Sequence, residues 1–275
     1  MSSTRPDGQQ ITLTYDGAGR VSSRVLPTGT FSVSYDSVGQ VQGVSAPSGA
    51  NIANGYDGSL LTSTIVTGPV PGTITWTYDP DFRVTSQSVN SSHTITFSYD
   101  ADSLLTGAGD LTLSRDPQNR LLMGTTLGNV ADVISYNPFA EPTDYQATVN
   151  TLPVFHQSYV RDSLGRIIQK TETIDGTTNT YGYTYDTAGR LTEVKLNGVI
   201  LSAYTYDPNG NRLSKTAPVG TLTGTYDAQD RLLTYNGNTY TYTANGELAS
   251  KANSQSPNPI SYSYDVLGNL LADLG

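Results

Sequence analysis

A short pattern that opens with Tyr-Asp recurs along the whole chain of 275 residues. It can be placed thirteen times, at spacings of 16 to 25 residues that average just under 21. Self-similarity at a period of roughly 20 to 50 residues is typical of arrays that stack one supersecondary unit. The repeat therefore limits the fold more than any local feature does. We call each copy of the pattern a frame and its first residue the frame residue. The frames begin at Tyr15, Tyr35, Tyr56, Tyr78, Tyr99, Arg115, Tyr136, Arg161, Tyr185, Tyr206, Tyr226, Tyr242 and Tyr264.

The residues that follow each frame residue predict a tight turn. Asp comes next in eleven of the thirteen frames, and Gly stands three residues after that position in seven. Asp at the first and Gly at the fourth position are preferred in type I turns, where the carboxylate accepts turn amides and Gly tolerates the exit angle. Arg follows the turn at 20, 83, 120, 166, 190, 212 and 231, so most of the 11 Arg hold one repeated position. The predicted structural turn residues are Tyr15, Asp16, Gly19, Arg20, Tyr35, Asp36, Gly39, Asp162, Gly165, Arg166, Tyr185, Asp186, Gly189, Arg190, Tyr206, Asp207, Gly210, Arg212, Tyr226, Asp227, Arg231, Tyr264, Asp265 and Gly268.

The segments between these turns read as strands. Tyr alternates with small residues before the turn, as in Tyr204-Thr-Tyr206-Asp207 and Tyr262-Ser-Tyr264-Asp265, and a period of two is typical of a strand with one buried face. Asn197-Gly198, Asn236-Gly237 and Asp175-Gly176 lie between frames, and such dipeptides form two-residue hairpin turns. Each repeat therefore predicts strand, turn, strand, turn, and helical spacing is not found.

We expect an all-β fold built as a spiralling strip of antiparallel hairpins. At about 4.8 Å per strand, two strands per repeat would give a flat sheet on the order of 120 Å wide. Strand twist coils a ribbon of that width, so we expect a β-solenoid, either an open strip or a hollow shell. We treat residues 1–275 as a single array of about thirteen hairpin repeats.

Two departures from the regular spacing need an account. Residues 136–160 contain Pro138, Pro142 and Pro153 and predict an irregular loop or corner. The two spacings of 16 residues, which start at Tyr99 and Tyr226, lie 127 residues apart. They indicate either six repeats per winding or two loops that are short by coincidence.

Composition excludes several classes of function. The absence of Cys rules out disulfides, thiol catalysis and Cys-ligated zinc. A net charge of −9 argues against nucleic acid as a partner, because a phosphate-binding surface needs Lys and Arg. No run approaches 18 apolar residues, so we expect no membrane span.

No pattern predicts a catalytic, cofactor or metal site. His93 and His156 have no partner at a metal-ligand spacing. The stretch 207–211 looks like the start of a calcium loop, but Arg212 and Pro218 stand where an EF-hand needs Gly and Glu. A glycosidase would need two carboxylates facing one cleft. Eleven Asp are assigned to the frame turns, and the chain has four Glu, which are Glu141, Glu172, Glu193 and Glu247.

The pattern Tyr-Asp-x-x-Gly-Arg-Leu resembles the YD repeats, also called Rhs repeats, of teneurins, bacterial Rhs proteins and the shell component of Tc toxins. The resemblance covers essentially the whole chain. It implies a hollow β-shell, which in Rhs and Tc proteins encloses a C-terminal toxin and in teneurin-like proteins supports adhesion. The Rhs-associated core segment, with its Asp-Pro-x-Gly-Leu signature, is absent, and a repeat is still in progress at 264–270, so we expect a fragment of a longer protein. The best-matching stretches are 161–166, 185–191, 206–212 and 226–232.

The resemblance implies a non-enzymatic shell segment, without cofactors, that encloses or presents a C-terminal toxin or effector of a secreted or cell-surface parent protein. The alternative is a teneurin-like adhesion module that binds a cell-surface glycan or protein through exposed tyrosines outside the frame, such as Tyr145 and Tyr159. Exposed strip edges could also pair between chains. An enzyme would require two carboxylates outside the turns to converge in a pocket.

Overall fold

The computed structural model describes residues 1–253 and 258–274, and all secondary structure in these residues is strand or turn. The described strands belong to one antiparallel sheet. The predicted all-β hairpin fold is therefore confirmed.

The strands are short and evenly spread along the chain. They are β1 (Ser2–Thr4), β2 (Gln10–Tyr15), β3 (Val21–Leu26), β4 (Gly29–Tyr35), β5 (Val41–Ser45), β6 (Asn51–Asp57), β7 (Leu60–Thr67), β8 (Gly72–Tyr78), β9 (Val84–Val89), β10 (His93–Tyr99), β11 (Leu105–Ala108), β12 (Leu111–Arg115), β13 (Leu122–Leu127), β14 (Val130–Tyr136), β15 (Pro142–Val149), β16 (Leu152–Arg161), β17 (Ile167–Ile174), β18 (Thr177–Tyr185), β19 (Leu191–Leu196), β20 (Val199–Tyr206), β21 (Arg212–Ala217), β22 (Gly220–Tyr226), β23 (Leu232–Tyr235), β24 (Asn238–Tyr242), β25 (Leu248–Asn253), β26 (Ile260–Tyr264) and β27 (Leu270–Leu274).

Each even-numbered strand ends on a frame residue, except β6, which ends one residue later at Asp57. From β1 to β11 and from β12 to β24, each strand pairs with the next one along the chain. The frame therefore marks one end of every hairpin.

In most frames the turn that follows is a type I turn whose fourth residue lies in the left-handed region. This residue is Gly in seven frames and Phe82, Ser103, Ala140 or Asp230 in four others. In the repeat of Asp186, the Gly189 amide donates to the Asp186 carbonyl at 3.0 Å and the Asp186 amide donates to the Arg190 carbonyl at 2.9 Å. Gly189 has φ +81°. This is the three-residue hairpin loop with a bulge, and the pairing register shifts beside it, between Thr184 and Tyr185.

The predicted two-residue turns at the other end of the hairpins are confirmed. Both central residues have positive φ, as a type I′ turn requires. The values are 46° and 80° at Asp175 and Gly176, 49° and 84° at Asn197 and Gly198, and 50° and 74° at Asn236 and Gly237.

The irregular loop predicted near residues 136–160 is wrong. This segment holds the end of β14, all of β15 and most of β16, joined by ordinary turns. Pro142 is the first residue of its strand, and Pro153 lies beside a bulge in the pairing of β15 with β16. Both are positions where a strand tolerates a missing amide donor.

The two short repeats owe their length to strands, not to loops. β11 and β23 have four residues each, and a two-residue turn still follows each of them. The alternative of two shortened loops is therefore wrong, and the meaning of the longer period stays a prediction.

The two faces of the sheet differ in chemistry, and no second layer covers either of them along most strands. In β4, the half-buried Phe31, Val33 and Tyr35 alternate with exposed Thr and Ser residues, which are Thr30, Ser32 and Ser34. The chain exposes 16936 Å², against about 11,500 Å² expected from the scaling law for a globular protein of 29.3 kDa. Among the described residues, the buried side chains are Leu26, Val194, Ser202 and Val266.

Contacts group the chain into two compact units, and each unit is built from hairpins of the kind described above. The first comprises 1–109, 242–250 and 260–275, and the second comprises 110–241 and 251–259.

The fourth turn position yields a stability prediction. Gly189→Val should lower the free energy of unfolding by about 1–2 kcal/mol, because an L-residue is strained in the left-handed region. Nothing lies within 4 Å of the added Cβ, so the cost is backbone strain and not a clash. Thr187→Val, two residues earlier in the same turn, should change the stability by less than about 0.5 kcal/mol. Urea unfolding of both variants measures the difference, and equal midpoints would contradict the turn assignment.

Candidate functional site

The first residue of the Asp186 turn is a structural anion. In the Asp186 turn, Oδ1 accepts the amides of Ala188 at 3.0 Å and Arg190 at 2.9 Å, and Oδ2 accepts Nε of Arg190 at 2.7 Å. The amide and then the guanidinium of Arg190 hold the pKa of the Asp186 carboxyl below its usual range. A carboxylate bonded in this way stays ionised and is not a proton donor at neutral pH.

Turn positions are counted from the residue after the frame residue, so Asp186 is the first position and Arg190 the fifth. The same carboxylate–guanidinium contact recurs wherever Arg holds the fifth position of a turn of this length. Each such Asp binds Nε of its Arg at 2.7 Å. The pairs are Asp16–Arg20, Asp79–Arg83, Asp162–Arg166 and Asp227–Arg231.

Other predicted turn residues keep the backbone geometry without an arginine. In the Asp36 turn the Oδ1 atom accepts the amides of Val38 and Gln40 at 3.0 and 2.8 Å. The turns of Asp207 and Asp265 use an asparagine at the fifth position, which binds Oδ2 at 2.9 and 2.8 Å. The fourth-position glycines with positive φ include Gly19, Gly39, Gly165, Gly210 and Gly268.

The predicted common position of seven arginines is wrong for Arg212 and Arg120. Asn211 takes the fifth position of its turn, so Arg212 follows it and its guanidinium lies 5.9 and 5.4 Å from the ring centroids of Tyr204 and Tyr235. Arg120 belongs to a turn that is one residue longer and has φ +65°. It therefore fills the left-handed position and not the carboxylate-binding one.

The fifth-position arginine also connects its own turn to the next repeat. Cζ of Arg190 lies 5.0 Å from the ring centroid of Tyr206, and its Nη1 donates to the Asp207 carbonyl at 2.7 Å. Such a cation–π contact contributes on the order of 0.5–1 kcal/mol at an exposed site. Equivalent stacks are Arg20–Tyr35 at 4.3 Å, Arg83–Tyr99 at 5.1 Å and Arg166–Tyr185 at 4.8 Å.

The frame tyrosine adds a hydrogen bond to the preceding repeat, and the sequence pattern did not reveal this bond. The Tyr206 hydroxyl donates to the carbonyl of Leu191, the residue directly after Arg190, at 2.7 Å. Each hairpin is thus tied to the preceding one through a side chain as well as through the ladder. Bonds of this kind, 2.7–3.1 Å long, run from Tyr35 to Val21, Tyr56 to Val41, Tyr78 to Leu61, Tyr99 to Val84, Tyr136 to Leu122, Tyr185 to Ile167 and Tyr226 to Arg212.

Two turns reverse the usual order of charge. Asn137 and Thr243 replace the first-position Asp, and Glu141 and Glu247 replace the fifth-position Arg. The Asn137 amide donates to Oε2 of Glu141 at 2.7 Å, and the Thr243 hydroxyl donates to Oε2 of Glu247. The carboxylate has moved from one end of the turn to the other.

Each displaced glutamate has an arginine from outside its own turn. Arg5, in the turn between β1 and β2, binds Oε1 of Glu247 and also donates to the Asp265 carbonyl at 3.0 Å. Nε of Arg161 lies 3.7 Å from Oε2 of Glu141. The unusual Arg at frame 161 and the unusual Glu at 141 and 247 are visible in the sequence as departures from the repeat. The two contacts of these glutamates with arginine account for them.

A cavity of about 510 Å³ lies beside the Glu141 turn. Phe139 and Leu164, at the tips of two successive turns, are 85% and 75% exposed and stand at its rim. Glu141 and Tyr159 are among the residues that line it. The cavity combines an apolar rim with a carboxylate.

A polar network lies along β16 and β17. The Tyr159 hydroxyl donates to Gln157 Oε1 at 2.5 Å, and Glu172 accepts from Gln157 at 3.4 Å and from Lys170 at 2.9 Å. Burial favours the neutral amine of Lys170, but the hydrogen bond and charge of Glu172 outweigh it and raise the Lys170 pKa. This lysine is therefore a cation at neutral pH and not a nucleophile.

The tyrosines considered for glycan binding are not free. Tyr145 and Tyr159 are half-buried on their strands. The Tyr145 hydroxyl lies 3.4 Å from Oδ2 of Asp132, and that of Tyr159 is bound to Gln157. The expectation that both are exposed is wrong, because the neighbouring strands half-bury both side chains and each hydroxyl has a hydrogen-bond partner.

The histidines and glutamates give no constellation typical of catalysis. His93 contacts the hydroxyl of Ser92 at 3.0 Å, and His156 lies 2.7 Å from Asp144. Within residues 1–253 and 258–274, no three His, Asp or Glu side chains meet as metal ligands would. Each glutamate faces a cation, in the pairs Glu141–Arg161, Glu172–Lys170, Glu193–Lys195 and Glu247–Arg5.

The described part of the chain has no helix that is long and apolar enough to cross a lipid bilayer.

Comparisons with known proteins agree on one family of folds. The family model described as "Teneurin YD-shell" matches residues 1–274. The crystal structure of TcdB2-TccC3-TEV is similar with a TM-score of 0.62 at 13% identity, over 96% of this chain and 19% of that one. The structure of TcdB2-TccC3 without its hypervariable C-terminal region gives 0.61 at 14%, again over 96% and 19%. The chain thus spans about a fifth of these proteins, and at such identity the similarity shows the fold alone. No curated protein has significant sequence similarity to the chain.

The lowered pKa of the turn carboxylates predicts a defined response to acid. Since the folded pKa of Asp186 is depressed, its stabilising effect is present above about pH 4 and is lost as pH falls through the folded value. Asp186→Asn should therefore be less stable than the wild type at pH 7, and the gap should close near pH 2. Asn137 shows that an Asn in this position still accepts the turn amides, so the variant should fold.

Urea midpoints at both pH values test this expectation. Asp57→Asn is the matched control, because the Asp57 carboxylate accepts no hydrogen bond among the described residues. A gap for Asp186→Asn that persists unchanged at pH 2 would contradict the proposed role of the carboxylate.

Proposed function

Because the chain belongs to the teneurin YD-shell family, we propose that it is a non-enzymatic segment of a β-shell that encloses or presents a C-terminal toxin or effector. The parent protein is exported, and is either secreted or held at the cell surface. The effector segment is the partner, and no cofactor takes part.

The observation that carries this proposal is the uncovered face of the sheet. Its Tyr and aliphatic side chains are half-buried by their neighbours alone, and the Ser and Thr face is opposite. An isolated globular protein buries such a face under a second layer. A sheet with one apolar face and one hydroxyl-rich face suits an enclosure for a poorly folded polypeptide, with the apolar face turned toward that polypeptide.

The comparisons and the chemistry support the same proposal. One of the similar crystal structures is that of TcdB2-TccC3 without its hypervariable C-terminal region. By analogy, we propose that a C-terminal region follows the shell in the parent protein. The turn aspartates are committed to amides and arginines, and each glutamate is paired with a cation. These groups hold the wall together and are poorly placed for acid–base catalysis.

A cell-surface adhesion module that binds a glycan or protein is the second candidate, and the family description that includes teneurins favours it. In that case the hydroxyl-rich face would carry the binding surface, and the apolar face would enclose other parts of the same protein.

Limited proteolysis of the full-length parent protein tests the enclosure. We expect a segment downstream of residue 275 that resists protease in the intact protein and is digested after the shell is unfolded. Leu113→Asp places a charge on the half-buried face of β12 and should expose the segment, whereas Thr112→Asp on the exposed face should not. A downstream segment that is digested at once in the wild type would exclude enclosure and leave adhesion as the function.

A further inference from the structure

The Glu247 turn is an acceptor for an arginine carried by another hairpin. Arg5 opens a turn of the same type as the frame turns, since its amide donates to the Gln9 carbonyl at 2.9 Å and the Gly8 amide donates to the Arg5 carbonyl at 2.9 Å. Its guanidinium reaches the Asp265 carbonyl, just as Arg190 reaches the Asp207 carbonyl in a regular repeat. Arg5 thus fills the place that the missing fifth-position arginine would occupy.

The third positions of the two turns meet as well. The Asn245 amide donates to the Asp7 carboxylate at 2.6 Å, and the Asp7 amide donates back to Asn245 at 3.3 Å. The hydrogen bond from the Gln9 amide, and then the one from the Asn245 side chain, lower the pKa of the Asp7 carboxyl. Recognition therefore has two parts, an arginine at position one and a matched side chain at position three.

The Glu141 turn has the same hydrogen bond between its first and fifth positions, but one oxygen of its carboxylate has no hydrogen bond in the described part of the chain. Asn137 binds Oε2 of Glu141 as Thr243 binds Oε2 of Glu247. Oε1 of Glu247 is bonded to Arg5, whereas Oε1 of Glu141 has no hydrogen bond among the described residues.

Arg161 does not take this position. Its Nη1 and Nη2 donate to the carbonyls of Gly165 and Pro142 at 3.0 and 3.3 Å, and its Nε is nearest to Oε2 of Glu141, at 3.7 Å. The cavity of about 510 Å³ lies at this turn.

We propose that the Asn137–Glu141 turn and its cavity bind a hairpin turn of a protein partner that carries arginine at its first position. The guanidinium binds Oε1 of Glu141 in a charge-assisted hydrogen bond. Phe139 stands where the other acceptor has Asn245, and Leu164 stands where it has Leu267. The partner turn therefore carries an apolar residue at its third position, where the Arg5 turn has Asp7.

Fluorescence anisotropy with labelled, backbone-cyclised hairpin peptides tests the proposal on the full chain. One peptide carries the turn Arg-Pro-Leu-Gly, a second carries Arg-Pro-Asp-Gly, and a third carries Ala-Pro-Leu-Gly. We expect the first to bind most tightly, and the loss of its arginine to weaken binding by roughly tenfold or more, the usual effect of removing a charge-assisted bond.

Protein variants assign the binding to one turn. Glu141→Gln should weaken binding of the first peptide by roughly tenfold or more, while Glu193→Gln, which removes the same charge from β19, should not. Glu141→Lys should restore affinity for a peptide with Glu in place of Arg, which keeps the test valid if one variant folds poorly.

Three results would overturn the proposal. The first is no binding by any peptide. The second is equal binding by the Arg and Ala peptides, which would indicate apolar contact alone. The third is binding that Glu247→Gln abolishes and Glu141→Gln leaves intact, which would show exchange with the chain's own Arg5 hairpin.

Discussion

The link from an aspartate to its arginine and from that arginine to the next tyrosine holds this protein together. A sheet without a covering layer has little buried apolar area, and in the described residues just three aliphatic side chains are buried. Stability must then come from hydrogen bonds and half-buried rings repeated along the strip. Asp186 fixes Arg190, Arg190 lies over Tyr206, and Tyr206 binds the Leu191 carbonyl. Each hairpin is held by its neighbour, as in other repeat proteins whose stability is a sum of nearest-neighbour terms.

The turns that carry glutamate in place of the aspartate–arginine pair, those of Glu141 and Glu247, differ from the other repeats in the contacts they make. Glu at the fifth turn position puts a carboxylate where other repeats have an arginine, so its charge has to be compensated from elsewhere. Arg5 provides the compensation for Glu247 and connects the first hairpin to the last repeats of the first compact unit. Glu141 has Arg161 beside it but keeps one carboxylate oxygen open. Such local exceptions, more than the repeat itself, determine where a distant hairpin such as that of Arg5 makes contact.

Much of the fold could be predicted from the sequence because the repeat states the same structure many times. The period placed the strands, and the positions of Asp and Gly placed the turns, including the positive φ of Gly189. Prolines at 142 and 153 misled the prediction, because a strand start and a bulge accept them as readily as a loop does. The hydroxyl bond of Tyr206 and the contact of Arg5 with Glu247 join residues 15 and 242 positions apart. Such contacts depend on how strands lie side by side, which a local pattern does not contain.

The most direct test of this account is the stability of Tyr206→Phe, which removes the hydroxyl and leaves the ring beneath Arg190. Urea unfolding should show a loss of about 1–2 kcal/mol, because the Leu191 carbonyl loses a partner in a half-buried position. Tyr240→Phe is the control, since Tyr240 lies outside the frame and its hydroxyl has no hydrogen bond among the described residues, and its stability should equal that of the wild type. Equal stability of Tyr206→Phe and Tyr240→Phe would contradict the claim that the frame tyrosine ties each hairpin to the one before it.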